Sequence, residues 1–84
     1  DGLRTNLGSI NFPIIQKNVK EILLVSETEI MNSLKIILNQ LKLVVEPSSA
    51  VVLAALIKNK EKFKSKKIGL IMCGGNIDFN SLQF

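Results

Sequence analysis

The chain has 84 residues, enough for one small domain or part of a larger one, and a chain this short buries proportionally little of its surface. Its hydrophobic content of 46% is generous for that length and implies apolar surface that expects a neighbour. With no histidine and a single cysteine, Cys73, the sequence excludes an internal disulfide, a Cys/His zinc site and a Ser-His-Asp triad.

The formal net charge of +4 is concentrated in Lys58, Lys60, Lys62, Lys64, Lys66 and Lys67. Such a run suits either a phosphate-binding patch or a solvated connection. Nucleic-acid binders interleave basic residues with stacking aromatics, whereas this run offers only Phe63, and lysine is favoured in the last turn and exit of a helix. The lysines therefore read as a solvated connection, with no nucleic-acid partner. The longest uninterrupted apolar run, residues 50–57, is too short to span a bilayer, and no charged-then-apolar leader opens the chain. A soluble, cytoplasmic protein without a membrane partner is expected.

Along the chain, Gly2 and Gly8 mark the opening segment, and residues 12–19 carry Pro13 where the first turn of a short helix tolerates it. Residues 21–25 read as a mostly buried strand. Ser26 with Glu29 three residues on forms a capping box, and Ile30, Leu34, Ile37, Leu38 and Leu41 repeat with helical period. Residues 42–46 are an irregular link. Pro47, Ser48 and Ser49 then start a helix to about Glu61. Val51 and Val52 suit a strand equally well; Ala50, Ala54 and Ala55 tip the choice toward a helix apolar all round, sandwiched against a sheet. Residues 68–72 form a second buried strand stopped by Gly74 and Gly75, and residues 78–84 suit a short terminal turn capped by Asp78 or Asn80. The order implies an α/β fold, two strands packed with about three helices, in which both strands lie in a larger sheet completed from outside the chain.

Three stretches invite chemistry. Met72-Cys73-Gly74-Gly75-Asn76 puts a thiol at the C-terminal end of a strand, where open α/β sheets bind ligands, before two glycines that let backbone and ligand come close. The alternative is a buried, inert cysteine before an ordinary glycine turn. Glu46, between Val45 and Pro47, is either a carboxylate at the positive end of a helix dipole or one at the rim of a cofactor pocket. Asp1-Gly2-Leu3-Arg4-Thr5-Asn6 suits a loop whose backbone and hydroxyl groups touch a ligand.

Taken in order, Asp1-Gly2-Leu3-Arg4-Thr5, Phe12-Pro13-Ile14-Ile15, Val25-Ser26-Glu27, Lys42-Leu43, Glu46-Pro47-Ser48-Ser49-Ala50, Ala54-Ala55 and Cys73-Gly74-Gly75-Asn76-Ile77-Asp78 resemble the C-terminal part of the serine racemase and serine/threonine dehydratase family. The resemblance covers the whole chain. It implies a fold-type II pyridoxal-phosphate enzyme in which residues 1–84 form the C-terminal part of the large, cofactor-binding domain. Cys73 matches the Ser or Cys that hydrogen-bonds the pyridine nitrogen, with Gly74 beside it; Gly2 matches a glycine whose backbone lies against the cofactor, and Glu46 the Glu of the Glu-Pro motif near the ring. Thr5 matches a hydroxyl near the substrate carboxylate. In racemases of the family that bind ATP at the subunit interface, positions matching Lys42 and Asn76 lie near the nucleotide.

The implied activity is dehydration of serine or threonine to a 2-oxo acid and ammonia, racemisation of serine, or both. None of the lysines stands in the family's Schiff-base motif, and there is no glycine-rich phosphate loop. The catalytic lysine and the carboxylates of a Mg or Ca site are expected upstream of Asp1, so the isolated chain should be inactive. The implied partners are an amino-acid substrate, the rest of the parent chain and further copies of the parent in a dimer or tetramer. From a different class, the chain also suits a free-standing interaction module that binds a partner through exposed apolar faces.

Overall fold

The computed structural model describes residues 6–78 and residue 80. Helix α1 (Asn11–Asn18) places Pro13 in its first turn, where the missing N–H has no intrahelical acceptor to lose. It ends as Asn18 Nδ2 donates to the Ile14 carbonyl at 2.8 Å, and none of its residues is buried.

Helix α2 (Glu27–Ile36) begins at the expected capping box. The Glu29 N–H donates to Ser26 Oγ at 3.1 Å and the Ser26 N–H returns to Glu29 Oε1 at 2.7 Å, so two otherwise orphaned donors are satisfied. The helix then widens into a π-turn (Ile37–Leu41) and stops at Lys42, which adopts the left-handed region at φ 57°. The wider turn shifts the helical register. Leu34 and Ile37 are fully buried as their spacing predicts, whereas Leu41, counted on the same face from sequence, is 51% exposed.

Helix α3 (Pro47–Lys58) starts at its proline but stops short of Glu61. The cause is Asn59, whose side-chain amide donates to the Ala55 carbonyl at 2.8 Å while its backbone N–H reaches Ala55 and Leu56 carbonyls at 3.1 and 3.2 Å. These bonds satisfy the last carbonyls and release the chain into tight turns over residues 59–66. Ser49, Ala50 and Ala54 are buried, and their small side chains let α3 lie close to α2. Leu34, Ile37, Val45 and Ala50 form the core, joined by Ile30, Met31, Leu38, Leu53, Met72 and Ile77.

The two expected strands take a different form from the sequence reading. Among the described residues no strand ladder forms, and residues 21–25 and 68–72 run without regular structure. Neither is buried: Ile22, Leu24 and Ile71 are 72%, 79% and 80% exposed. A strand exists through the ladder it shares with a neighbour, and neither stretch meets one here. Of the expected terminal turn, the Asn80 N–H donates to Asp78 Oδ1 at 2.9 Å, the bond an Asp cap supplies; residues 79 and 81–84 lie outside the described residues. Among the described residues no helix is long and apolar enough to cross a membrane.

The lysine run is exposed, but two of its members are tied down. Lys58 Nζ donates to the Leu24 carbonyl at 3.0 Å and lies 3.4 Å from Glu29 Oε1, and Lys62 pairs with Glu21. Both contacts strap residues 21–25 onto the C-terminal end of α3, a role the solvated-connection reading did not anticipate.

Candidate functional site

Pro47 restricts the residue before it to extended geometry, and Glu46 accordingly takes φ −75°, ψ 158° at the N-cap of α3. Its carbonyl accepts from the Ser49 and Ala50 N–H groups at 2.9 and 3.3 Å, which starts the helix. Its own N–H donates across the chain to the Gly74 carbonyl at 3.1 Å.

The Glu46 side chain makes no capping bond to α3 and lies over Gly74 instead. A Cβ built on Gly74 would collide with Glu46 Oε1 and fall 2.9 Å from Cδ. Gly74 also holds φ at 88°, where a residue with a Cβ is strained. The positive φ is what calls for glycine at this position, since the carboxylate ends a flexible side chain that can swing aside. Gly75 is tight as well, since a Cβ there would meet the Val44 carbonyl at 3.3 Å. Residue 46 meets 74 and residue 44 meets 75, so the two stretches pass each other in opposite chain directions.

Met72 and Ile77 pack half-buried against the core on either side of this contact. Between them Cys73, Gly74, Gly75 and Asn76 are all exposed, so the turn is anchored at both ends and open in the middle. The Cys73 thiol is exposed in this chain. The half-buried Glu46 thus meets Gly74, the residue that follows the exposed Cys73 in the chain. Lys42 and Asn76 are exposed and lie in sequence just beyond the Val44–Gly75 contact, at its same end. Gly2 and Thr5 lie outside the described residues.

Sequence reasoning missed the Val44 carbonyl and the Glu46 amide. The available signals were Pro47, which fixes the residue before it, and the glycine pair, which admits a second backbone. Neither reveals its partner.

The protein family described as "Pyridoxal-phosphate dependent enzyme" matches residues 1–74. Serine racemase of Dictyostelium discoideum is 45% identical over 85 aligned residues, covering 99% of this chain and 26% of that protein. The beta-hydroxyaspartate dehydratase of Paracoccus denitrificans is 42% identical over 84 residues, covering 100% and 27%. The crystal structure of the Dictyostelium discoideum serine racemase superposes with a TM-score of 0.85 at 44% identity, over 94% of this chain and 27% of that one. The chain spans about a quarter of the length of the curated relatives it matches.

Proposed function

The chain belongs to the pyridoxal-phosphate-dependent enzymes, of fold-type II, and on that premise we propose that it forms the C-terminal part of the large domain of a longer enzyme acting on a β-hydroxy amino acid. The reaction is dehydration of serine or threonine to a 2-oxo acid and ammonia, racemisation of serine, or both. Relatives named for serine and for hydroxyaspartate share the α-amino, β-hydroxy pattern, which supports the substrate class. The observation that carries the reading is the meeting of Glu46 with Gly74 beside the exposed Cys73 thiol.

The residues present fit the cofactor. Its ring needs a polar partner for the pyridine nitrogen and a backbone without side chains alongside, and an exposed thiol followed by two glycines offers both. Pyridoxal phosphate, when bound, supplies an electron sink for the substrate α-carbon. In this reading Cys73 faces the pyridine nitrogen as a neutral partner and leaves it without a fixed proton, which moderates the sink and favours loss of a β-hydroxyl. Gly74 lets the backbone approach the ring, Glu46 borders it, Gly2 lies against it and Thr5 holds the substrate carboxylate. Lys42 and Asn76, at one end of the paired stretch, are available to a nucleotide at a subunit interface, with a Mg or Ca site formed by residues beyond this chain.

Residues 21–25 and 68–72 join the sheet of the large domain in this arrangement, and Ile22, Leu24 and Ile71 are covered by the rest of the enzyme. That accounts for the apolar surface on which a free-standing interaction module would depend. The enzyme is proposed to be soluble, cytoplasmic and homo-oligomeric. The test is purification of the full-length enzyme and assay of ammonia release from serine, threonine and 3-hydroxyaspartate. Release from one of them, with visible cofactor absorbance, supports the reading; a preparation that binds no pyridoxal phosphate overturns it.

A further inference from the structure

Glu46 stands on rigid support. Val45 before it is in the core, Pro47 after it fixes its backbone, and its carbonyl is engaged with the first N–H groups of α3. Gly74 has less support: it is exposed and outside regular structure, at a positive φ that glycine adopts freely. Glu46 meets it twice, through a backbone amide bond to the Gly74 carbonyl and through a carboxylate packed where a side chain at residue 74 would be.

We propose that Glu46 is a positioning residue that sets the Cys73–Gly74 turn, and with it the direction of the Cys73 thiol, by acting on Gly74. The consequence for a ligand rests on the reading of Cys73 as the cofactor-facing group; the consequence for the turn does not. Length and shape of the side chain carry this role, so glutamine preserves more of it than alanine or the shorter aspartate.

The experiment uses the full-length enzyme with Glu46→Ala, Glu46→Gln, Glu46→Asp, Gly74→Ala and the Glu46→Ala/Gly74→Ala double variant. Two quantities are read: the alkylation rate of Cys73 in the apoenzyme, followed on its own peptide by mass spectrometry, and the Kd for pyridoxal phosphate from visible absorbance. Glu46→Ala keeps the backbone bond to Gly74 and removes the side-chain contact, which should speed alkylation and weaken the cofactor by about 3- to 10-fold. Glu46→Gln should lie closer to wild type than Glu46→Ala on both. Gly74→Ala should weaken the cofactor by roughly tenfold or more, from the strain at positive φ, and should push the Glu46 carboxylate aside. Adding Glu46→Ala to Gly74→Ala should cost little further, because the contact is already broken.

Wild-type values for Glu46→Ala, or losses that multiply in the double variant, would overturn the proposal. If circular dichroism shows Glu46→Ala unfolded, the comparison passes to Asp and Gln: faster alkylation in Asp than in Gln supports the role, and equal rates overturn it. Should the wild type bind no pyridoxal phosphate while alkylation follows this pattern, the cofactor assignment fails and the positioning role stands.

Discussion

Lys58 Nζ lies 3.4 Å from Glu29 Oε1 and donates to the Leu24 carbonyl at 3.0 Å, so one side chain joins the C-terminal end of α3 to the first turn of α2 and to the stretch before it. Both charged groups keep partial exposure, 46% and 33% of their side chains, which limits the pair to about 0.2–1 kcal/mol. Lys58→Met, which keeps the stem and removes the charge, should lower stability by about that much. Hydrogen exchange should show faster exchange at the Ser26 amide, which is bonded to the carboxylate that Lys58 pairs with. Unchanged exchange there would mean the strap does not hold that stretch.

Glu29 titrates below its ordinary value of 4.5, first because its carboxylate accepts the Ser26 backbone N–H, then through the Ser26 side chain and Lys58, with desolvation opposing. A folded value below the unfolded one means the folded state favours the charged carboxylate. The contribution is present above pH 4.5 and is lost as the pH falls through the folded value. The start of α2 should therefore loosen on acidification. Glu29→Gln should flatten that part of the stability profile, measured by thermal unfolding at a series of pH values; an unchanged acid limb would count against the assignment.

Leu34 is fully buried between α2 and α3. Leu34→Ala leaves a cavity in the small core and should cost about 2–5 kcal/mol. Leu41→Ala, on a residue that the π-turn leaves half-exposed, should cost much less. Thermal or urea unfolding of the two variants checks the order, and equal losses would contradict the register described.

Ile22, Leu24 and Ile71 leave most of their apolar side chains in solvent. The 84-residue chain alone should self-associate, and sedimentation at several concentrations should show mass rising with concentration. Replacing Ile22 and Leu24 with lysine should shift it toward monomer. A strictly monomeric, cooperatively unfolding wild-type chain would show that this surface needs no cover.

Local features were the legible ones. The Ser26–Glu29 box, the α2 period and Pro47 each act within a few residues, and each appears as expected apart from Leu41, which the π-turn moves. Apolar composition marked residues 21–25 and 68–72 as strand-like, yet a ladder needs a partner that these residues do not meet. Lys58 and Lys62 looked like solvated charge because their partners, Glu29 and Glu21, are distant in sequence. Nothing in the local sequence around Glu46 or Gly74 tells that one covers the other. Only the resemblance of the ordered motifs brought both to one site, and the structure supplies the contact.

Cys73 carries the chemical side of the account. If Cys73 has the proposed role, Cys73→Ala removes a hydrogen-bonding partner of the ring nitrogen and should weaken pyridoxal phosphate by roughly 2- to 12-fold, with Cys73→Ser losing less. Cys73→Asp places an anion at the same position and favours a protonated ring nitrogen, so dehydration should fall even where the cofactor stays bound. Equal kinetics and spectra in all three variants would reduce Cys73 to a bystander.

The most direct measurement is a crystal structure of the full-length enzyme with pyridoxal phosphate bound. The Cys73 thiol is expected within hydrogen-bonding reach of the pyridine nitrogen, with the Glu46 carboxylate still over Gly74. A ring nitrogen facing a different residue, with Cys73 turned away from the cofactor, would contradict it.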